Sequence, residues 1–382
     1  MQGFSEAGLA RLAEGLADQV GRGVVAGLTA LVACGDAVHV VAAGLSDIEA
    51  GVPMRRDSLF RIASMTKPIT AAAALILVEA GLLQLDAPIE HWLPELADRR
   101  VLRRLDGPLD DTVPAKRSIT LRDLLNFTFG LGVVMLPGNP PIQRAIVEAG
   151  LAPGPNAPAM SLDARAAAYG ALPLVHQPGE GWMYNSGSEL VAVAVERAAG
   201  RPFDRFLQDR IFAPLGMKDT GFGAVVADRL AGCYQVGAAG GFVRWPGSDA
   251  PTRPGGSTGL VSSVDDYLAF ARMLLAGGET ILSRRSVEAM TSDQLTPAQK
   301  AASLFIPGFF EGRGWGFGLG VTTDPAAAPP RGYGWDGGLG TSWRTDPATG
   351  LIGILLTQRP MTTPQMTETA SEFWRLAYAA VA

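Results

Sequence analysis

The stretch Ser64-Met65-Thr66-Lys67, followed at once by Pro68 and a long apolar run, carries the strongest signal in this sequence. Serine and lysine three residues apart at the start of a helix lie on the same face of it. A serine hydroxyl is a poor nucleophile until a neighbour takes its proton, and a lysine that is desolvated or near a cation has a pKa low enough to do so. The helix N-terminus adds N–H groups that favour an oxyanion. The motif therefore predicts a nucleophile beside its base.

The composition indicates a globular protein and excludes several classes of partner. Hydrophobic residues make up 47% of the 382 residues and charged residues 18%. Disordered chains contain fewer hydrophobic and more charged residues than this. The net charge of −5 lacks the basic footprint of a nucleic-acid-binding protein. The longest apolar run, residues 71–78, is too short to cross a bilayer. Charged residues interrupt the N-terminus where a signal peptide needs an apolar core, so we expect a cytoplasmic protein.

Cysteine and histidine usage predicts neither a metal nor a cofactor. Cys34 and Cys233 are too few for a disulfide framework or a zinc site. We expect two reduced, buried thiols, with a single bridge between them as the alternative. His39, His91 and His176 are far apart and lack the spacing of metal ligands.

Strand signals occur near both ends of the chain and are bordered by helix signals. Apolar residues at helical spacing predict an N-terminal helix, and a last helix begins near Pro364. The predicted strands are residues 24–33, 37–43, 314–322, 338–345 and 351–357. The middle is mostly helical, for instance over residues 189–199, with a Pro- and Gly-rich stretch at 137–158 that predicts a long loop.

This order of elements predicts an α/β fold of the α+β type. An antiparallel sheet, flanked by N- and C-terminal helices, is built from both chain ends, and a mostly helical domain is inserted between them. We place the α/β domain at residues 1–82 and 250–382 and the inserted domain at residues 83–249. The active site is expected between the two domains.

Two further segments carry residues suited to catalysis. In Gly181-Trp182-Met183-Tyr184-Asn185-Ser186-Gly187, a tyrosine at a loop-to-helix junction can relay protons if a lysine lowers its pKa. In Gly334-Trp335-Asp336-Gly337-Gly338-Leu339-Gly340-Thr341, glycines allow a ligand to approach backbone N–H groups, one of which can bind an oxyanion together with the N–H of the nucleophile. Taken singly, each motif has a plainer interpretation: a helix N-cap, a loop-closing aromatic residue and a β-turn.

A competing nucleophile is Ser257, because Gly255-Gly256-Ser257-Thr258-Gly259 matches the G-x-S-x-G elbow of α/β-hydrolases. That elbow requires a strand before the serine and a helix directly after it. Here prolines precede the serine, and no histidine follows His176 to complete the order Ser-Asp-His. We therefore expect this segment to be a glycine-rich loop near the site.

The three motifs, in this order, resemble those of the serine β-lactamase-like superfamily. Within it the chain most resembles the family VIII esterases, which are carboxylesterases with the class C β-lactamase fold. Several non-catalytic stretches are similar to that family as well, namely residues 106–112, 119–125, 214–220 and 259–263. The resemblance covers nearly the whole chain.

The resemblance implies roles for individual residues. Ser64 would be the acyl-accepting nucleophile, Lys67 its base partner and Tyr184 the third member of the proton relay, with the choice of kinetic base left open. The backbone N–H groups of Ser64 and Gly338 would form the oxyanion hole. The residues expected to contact the substrate are Trp335, Asp336, Gly337, Asn185 and Val133, the last at the start of an apolar wall suited to an acyl chain.

Two departures from class C β-lactamases refine the expected substrate. Those enzymes carry K-T-G where this chain has Trp335-Asp336-Gly337, so a charge-assisted contact with an anionic substrate is missing. They also carry Y-x-N, whereas the asparagine here, Asn185, follows Tyr184 directly. We predict hydrolysis of small uncharged esters. The alternatives are β-lactam, amide or peptide hydrolysis, acyl transfer at the same site, and a non-catalytic binding module; the oligomeric state is left open.

Overall fold

An eight-stranded antiparallel sheet lies at the centre of the fold. The computed structural model describes residues 3–135, 138–152, 160–223, 227–238, 240–246, 252–324 and 326–382. The strands are β1 (Gly27–Cys34), β2 (Ala37–Asp47), β3 (Val52–Pro53), β4 (Phe60–Arg61), β5 (Arg100–Leu102), β6 (Thr112–Pro114), β7 (Gly221–Phe222), β8 (Tyr234–Val236), β9 (Phe242–Arg244), β10 (Leu260–Ser262), β11 (Arg313–Trp315), β12 (Gly320–Thr322), β13 (Tyr333–Gly337), β14 (Thr341–Asp346) and β15 (Leu351–Thr357).

The helices lie on both faces of this sheet and fill the middle of the chain. They are α1 (Glu6–Gly21), α2 (Thr66–Glu79), α3 (Leu121–Leu125), α4 (Pro141–Glu148), α5 (Leu162–Ala171), α6 (Ser186–Ala199), α7 (Phe203–Leu207), α8 (Ala213–Leu215), α9 (Val264–Leu275), α10 (Arg284–Thr291), α11 (Pro297–Ala301) and α12 (Glu368–Ala380). Every described helix is either too short or too polar to cross a membrane.

The strand order shows that both ends of the chain build one sheet. It runs β11-β12-β13-β14-β15-β1-β2-β3, and every neighbouring pair is antiparallel. The join is between β1 and β15, which pair along their whole length, from Leu28 opposite Thr357 to Cys34 opposite Leu351. The predicted antiparallel sheet with flanking terminal helices is confirmed, while the domain boundaries at residues 82 and 250 stay a prediction.

The central strands are buried on both faces. Side chains alternate along a strand, so Leu28 and Val32 of β1 pack with α1 and α12, while Leu31 packs in the cluster on the opposite face. Gly353 of β15 faces α12, and a Cβ atom added there would lie 2.5 Å from the ring of Trp374. The absence of a side chain at Gly353 lets the Trp374 indole of α12 approach the backbone of β15 closely.

Helix α2 is a core helix and determines where the first motif lies. Every residue from Thr66 to Leu77 is buried, as expected of a helix that is apolar on all sides. It packs against α6, whose residues from Ser186 to Val195 are also buried. These two helices bring the Ser64 motif and the Tyr184 motif to one place.

Two segments differ from the sequence-based expectation. The predicted loop 137–158 contains α4, where Ile142 and Ile146 point one apolar stripe at the core; residues 137 and 153–158 of that prediction lie outside the described residues. The predicted strand 314–322 is two strands, β11 and β12, paired antiparallel. The chain reverses there because Gly318 has a φ of 73°, a conformation that glycine adopts without strain.

Replacing Gly353 by alanine tests the contact between the sheet and α12. We expect the free energy of unfolding to fall by about 1–3 kcal/mol, because the new methyl group must displace the Trp374 ring. The midpoint of urea unfolding at an unchanged m-value measures this loss. Gly21→Ala is the matched control, since its Cβ atom meets nothing within 4 Å. Equal stability of the two variants would contradict the packing argument.

Candidate active site

Ser64 lies in a single 3₁₀ turn, Ala63–Met65, that leads directly into α2. Ala63 adopts a φ of 46°, and left-handed backbone costs a residue other than glycine roughly 1–2 kcal/mol. The surrounding structure holds the turn on both sides. The Thr341 hydroxyl donates to the main-chain oxygen of Ile62 (3.2 Å), and the Tyr267 hydroxyl donates to that of Met65 (2.9 Å). The backbone of the Ser64 motif is thus fixed by neighbouring elements.

Lys67 has no exposed surface. Its Nζ lies 2.9 Å from Ser64 Oγ and donates a second hydrogen bond of 2.9 Å to the main-chain oxygen of Ser257. Burial lowers the pKa of Lys67 to about 7, although the Glu189 carboxylate acts in the opposite direction. Near neutral pH a large share of the lysine is therefore an uncharged amine able to accept a proton.

Tyr184 completes a cluster of polar groups around Ser64. Its phenol accepts a hydrogen bond of 2.8 Å from Trp335 Nε1, and the nearby Ser64 side chain acts to lower the pKa of the phenol against the larger effect of burial. Lys67 Nζ lies 4.8 Å from the centre of the Tyr184 ring. Burial raises the pKa of Tyr184 to about 12, which corrects the idea that a lysine lowers it. The phenol consequently keeps its proton at neutral pH and is suited to donate it.

The Tyr184 ring is held by aromatic neighbours. The aromatic cluster that surrounds it consists of Phe127, Trp182, Phe305, Trp315 and Trp335, with ring centroids 5.2–6.2 Å from that of Tyr184. Tilted and edge-to-face pairs at such distances are favourable arrangements for aromatic rings. The cluster therefore fixes the direction in which the Tyr184 hydroxyl points and keeps water away from the faces of its ring.

The end of β13 lies beside the Ser64 turn because Gly337 has no side chain. A Cβ atom there would lie 2.4 Å from the main-chain oxygen of Ile62 and 2.1 Å from Thr341 Oγ1. At Gly338, the next residue, a Cβ atom would meet nothing within 4 Å. The backbone of Gly338 is therefore not covered by neighbouring atoms on the side to which a Cβ atom would point.

The other predicted contact residues lie around this centre in different settings. Asp336 forms an ion pair with Arg344 (2.7 Å). Because side chains alternate along a strand, Asp336 lies on the face of β13 opposite to that of Trp335. Asn185 is buried, and its Nδ2 donates to Ser257 Oγ (3.4 Å). Val133 is half-buried, and its N–H donates to the main-chain oxygen of Tyr184 (2.6 Å). A substrate contact by each of them stays a prediction.

Ser257 and Glu189 are close to the site in ways the motifs did not specify. Ser257 is buried, and its hydroxyl donates to the Glu189 carboxylate. It is followed by strand β10, not by the helix that an α/β-hydrolase elbow requires. Sequence reasoning missed Glu189 and its partner Arg165. The available signal was an acidic residue in the first turn of α6, within a run of small and apolar residues.

Comparison with known proteins identifies the family. The model of the family described as Beta-lactamase matches residues 9–373. This chain belongs to the beta-lactamase family. It is a hydrolase of the serine β-lactamase-like superfamily.

Within the described ranges, no three His, Cys, Asp or Glu side chains are grouped so that they could hold a metal ion.

Relatives of this beta-lactamase family member include an esterase. An uncharacterized protein of Mycobacterium tuberculosis is 41% identical over 333 residues, which cover 82% of this chain and 81% of that protein. Esterase EstB of Burkholderia gladioli is 33% identical over 353 residues, covering 85% of this chain and 83% of EstB. The solved structure of EstCE1, a hydrolase with promiscuous acyltransferase activity, superposes with a TM-score of 0.81 at 26% identity and covers 98% of both chains.

Trp335→Phe tests the support of Tyr184 by an indole N–H. The change removes the 2.8 Å hydrogen bond to the phenol but keeps an aromatic ring. We expect modification of Ser64 by an active-site-directed phosphonate to slow about five-fold, the equivalent of a hydrogen bond worth about 1 kcal/mol. Trp374→Phe, which removes an indole hydrogen bond from α12 to Ser342 of β14, serves as the matched control. Equal slowing in both variants would argue against a specific role for Trp335.

Proposed function

We propose that this protein hydrolyses small, uncharged carboxylic esters through a covalent acyl-enzyme on Ser64. The observation that supports it most directly is the wholly buried Lys67 amine, which lies 2.9 Å from Ser64 Oγ and 4.8 Å from the centre of the Tyr184 ring. A nucleophile within hydrogen-bonding distance of a base with a pKa near 7 is suited to acyl transfer at neutral pH.

In acylation, uncharged Lys67 takes the proton of the Ser64 hydroxyl, and Oγ attacks the ester carbonyl carbon. The π-electron pair of the carbonyl moves to its oxygen. The N–H groups of Ser64 and Gly338 would donate hydrogen bonds to this oxyanion, which is the position in which such donors contribute most to catalysis. Lys67 is favoured as the base, because Tyr184 keeps its proton until about pH 12.

Collapse of the tetrahedral intermediate breaks the bond to the alkoxide, which leaves with a proton from Tyr184. The phenol regains its proton from the Lys67 ammonium, so the relay is neutral again. Water then attacks the acyl-enzyme carbonyl as Lys67 takes one of its protons. When this second tetrahedral intermediate collapses, the bond between the carbonyl carbon and Ser64 Oγ breaks, Oγ takes the proton from the Lys67 ammonium, and the carboxylic acid is released. Lys67 accepts and returns one proton in each half of the reaction, and Tyr184 donates and regains one in acylation, so both groups end in their starting states.

Two lines of reasoning support an uncharged ester as the substrate. EstB is named an esterase and covers most of this chain. The third motif, Trp335-Asp336-Gly337, supplies an indole and a carboxylate already paired with Arg344, so a lysine that could bind an anionic substrate is missing from it. A second candidate is acyl transfer to an alcohol, favoured by the similarity to EstCE1, a hydrolase with promiscuous acyltransferase activity.

Ser64→Ala tests the nucleophile. We expect turnover of p-nitrophenyl butyrate to fall at least a thousand-fold, because the acyl-enzyme cannot form, and the loss of one catalytic group commonly has effects of this order. A phosphonate adduct located by mass spectrometry should lie on Ser64 in the wild type, and still on Ser64 in Ser257→Ala. Near-wild-type turnover by Ser64→Ala would refute the assignment. A clear preference for nitrocefin or a D-Ala peptide over the butyrate ester would refute the substrate class.

The pH profile tests Lys67 as the base. Because only the uncharged amine accepts a proton and the pKa of Lys67 is lowered to about 7, kcat/KM should rise with pH and level off above about pH 8. Tyr184 adds no inflection in that range, since its pKa is about 12. Lys67→Arg should lose activity at every pH, as a guanidinium stays protonated. If the rise of kcat/KM with pH persists unchanged in Lys67→Arg, the group that causes this rise is not Lys67.

A further inference from the structure

A short loop, residues 255–259, lies against α2 and provides the second partner of the catalytic amine. The main-chain oxygen of Ser257 accepts the 2.9 Å hydrogen bond from Lys67 Nζ. One residue earlier, the main-chain oxygen of Gly256 accepts a 2.8 Å hydrogen bond from the Thr70 hydroxyl, one turn further along α2. The position of Lys67 Nζ therefore depends on where this loop is held.

Glu189 holds the same loop from the side of α6. Its carboxylate accepts hydrogen bonds from the Gly256 N–H (3.1 Å) and from the Ser257 hydroxyl. A Cβ atom added to Gly256 would lie 1.8 Å from the main-chain oxygen of Ser188, so the loop lies directly on the backbone of α6. A displacement of the Glu189 carboxylate would move the Ser257 oxygen to which Lys67 is bound.

The charge of Glu189 is buried and paired. Its side chain is 6% exposed, and it forms an ion pair with Arg165 of α5, whose side chain is 15% exposed. Buried ion pairs cost desolvation energy and often contribute little net stability. The contacts of this pair with the Ser257 loop point instead to a role in arranging the site.

We propose that Glu189 is a positioning residue for the Lys67 amine, acting through Ser257. The inference rests on the proposed function, in which Lys67 activates Ser64. Glu189 touches none of the reacting atoms. It acts by fixing the main-chain oxygen that binds Nζ, and by placing a negative charge on one side of a wholly buried lysine.

The charged and titratable groups around Lys67 determine the direction in which each substitution should shift its pKa. Glu189 raises the pKa of Lys67 against the effect of burial, and Arg165 offsets part of that negative charge. Tyr184 is uncharged at neutral pH because its pKa is about 12, and Asp336 of β13 is neutralised by its ion pair. Removal of the Glu189 charge should therefore lower the pKa of Lys67, and removal of the Arg165 charge should raise it.

The direct test is to titrate Lys67 by NMR. The chain has four lysines, so protein labelled with ¹³C at the lysine ε-carbon gives few signals, and that of Lys67 is the one missing from Lys67→Arg. We expect its midpoint near pH 7 in the wild type. The midpoint should be lower by roughly one unit in Glu189→Gln and higher by a similar amount in Arg165→Gln. The acid limb of kcat/KM should move in the same directions.

The matched control is Glu95→Gln. It breaks an ion pair with Arg197, which lies in α6 as Glu189 does, and both side chains of this pair are about one-quarter exposed. It should leave the Lys67 midpoint unchanged. If Glu189→Gln does not fold, the upward shift in Arg165→Gln decides the matter. Shifts in the same direction for the Glu189 and Arg165 variants, or no shift in either, would overturn the inference. Failure of the proposed function is detected separately, as turnover that survives in Ser64→Ala.

Discussion

The burial of Lys67 is the constraint on which the rest of the site depends. An amine with no exposed surface keeps its ordinary pKa only if a charge compensates for the lost water, and here compensation is partial, so the pKa falls to about 7. That burial requires α2 to be a core helix, enclosed by the sheet, by α6 and by the loop at residues 255–259. The packing of the core and the lowered pKa of Lys67 thus have a common origin.

Three separate elements meet at Ser64 because glycines remove the side chains that would keep them apart. Gly337 lets β13 lie beside the Ser64 turn, and Gly256 lets its loop lie against α6. Gly318, in the turn between β11 and β12, approaches the main-chain oxygen of Lys67, since a Cβ atom there would lie 2.8 Å from it. Substitutions at these positions would change the distances between these elements, although every polar group of the site would still be present.

Much of the fold could be predicted because the spacing of apolar residues and the positions of glycine and proline are local properties of the chain. The strand at residues 351–357 has the bounds of β15, and the helix predicted at 189–199 ends where α6 ends, at Gly200 in a left-handed conformation. The failures are also local. A proline-rich composition concealed α4, whose amphipathic stripe is short, and an apolar run concealed the reversal at Gly318 between β11 and β12.

The sequence by itself determined the fold class and the identity of the three motifs, because residue types and their order carry the resemblance to the family. It also placed Ser64 and Lys67 one helical turn apart. Tertiary structure alone decided the charge state of the site. The desolvation of Lys67, the raised pKa of Tyr184 and the approach of Glu189 through Ser257 arise from residues far apart in the chain. Electrostatic free energies depend on distance and solvent access in three dimensions, which no local pattern of residues records.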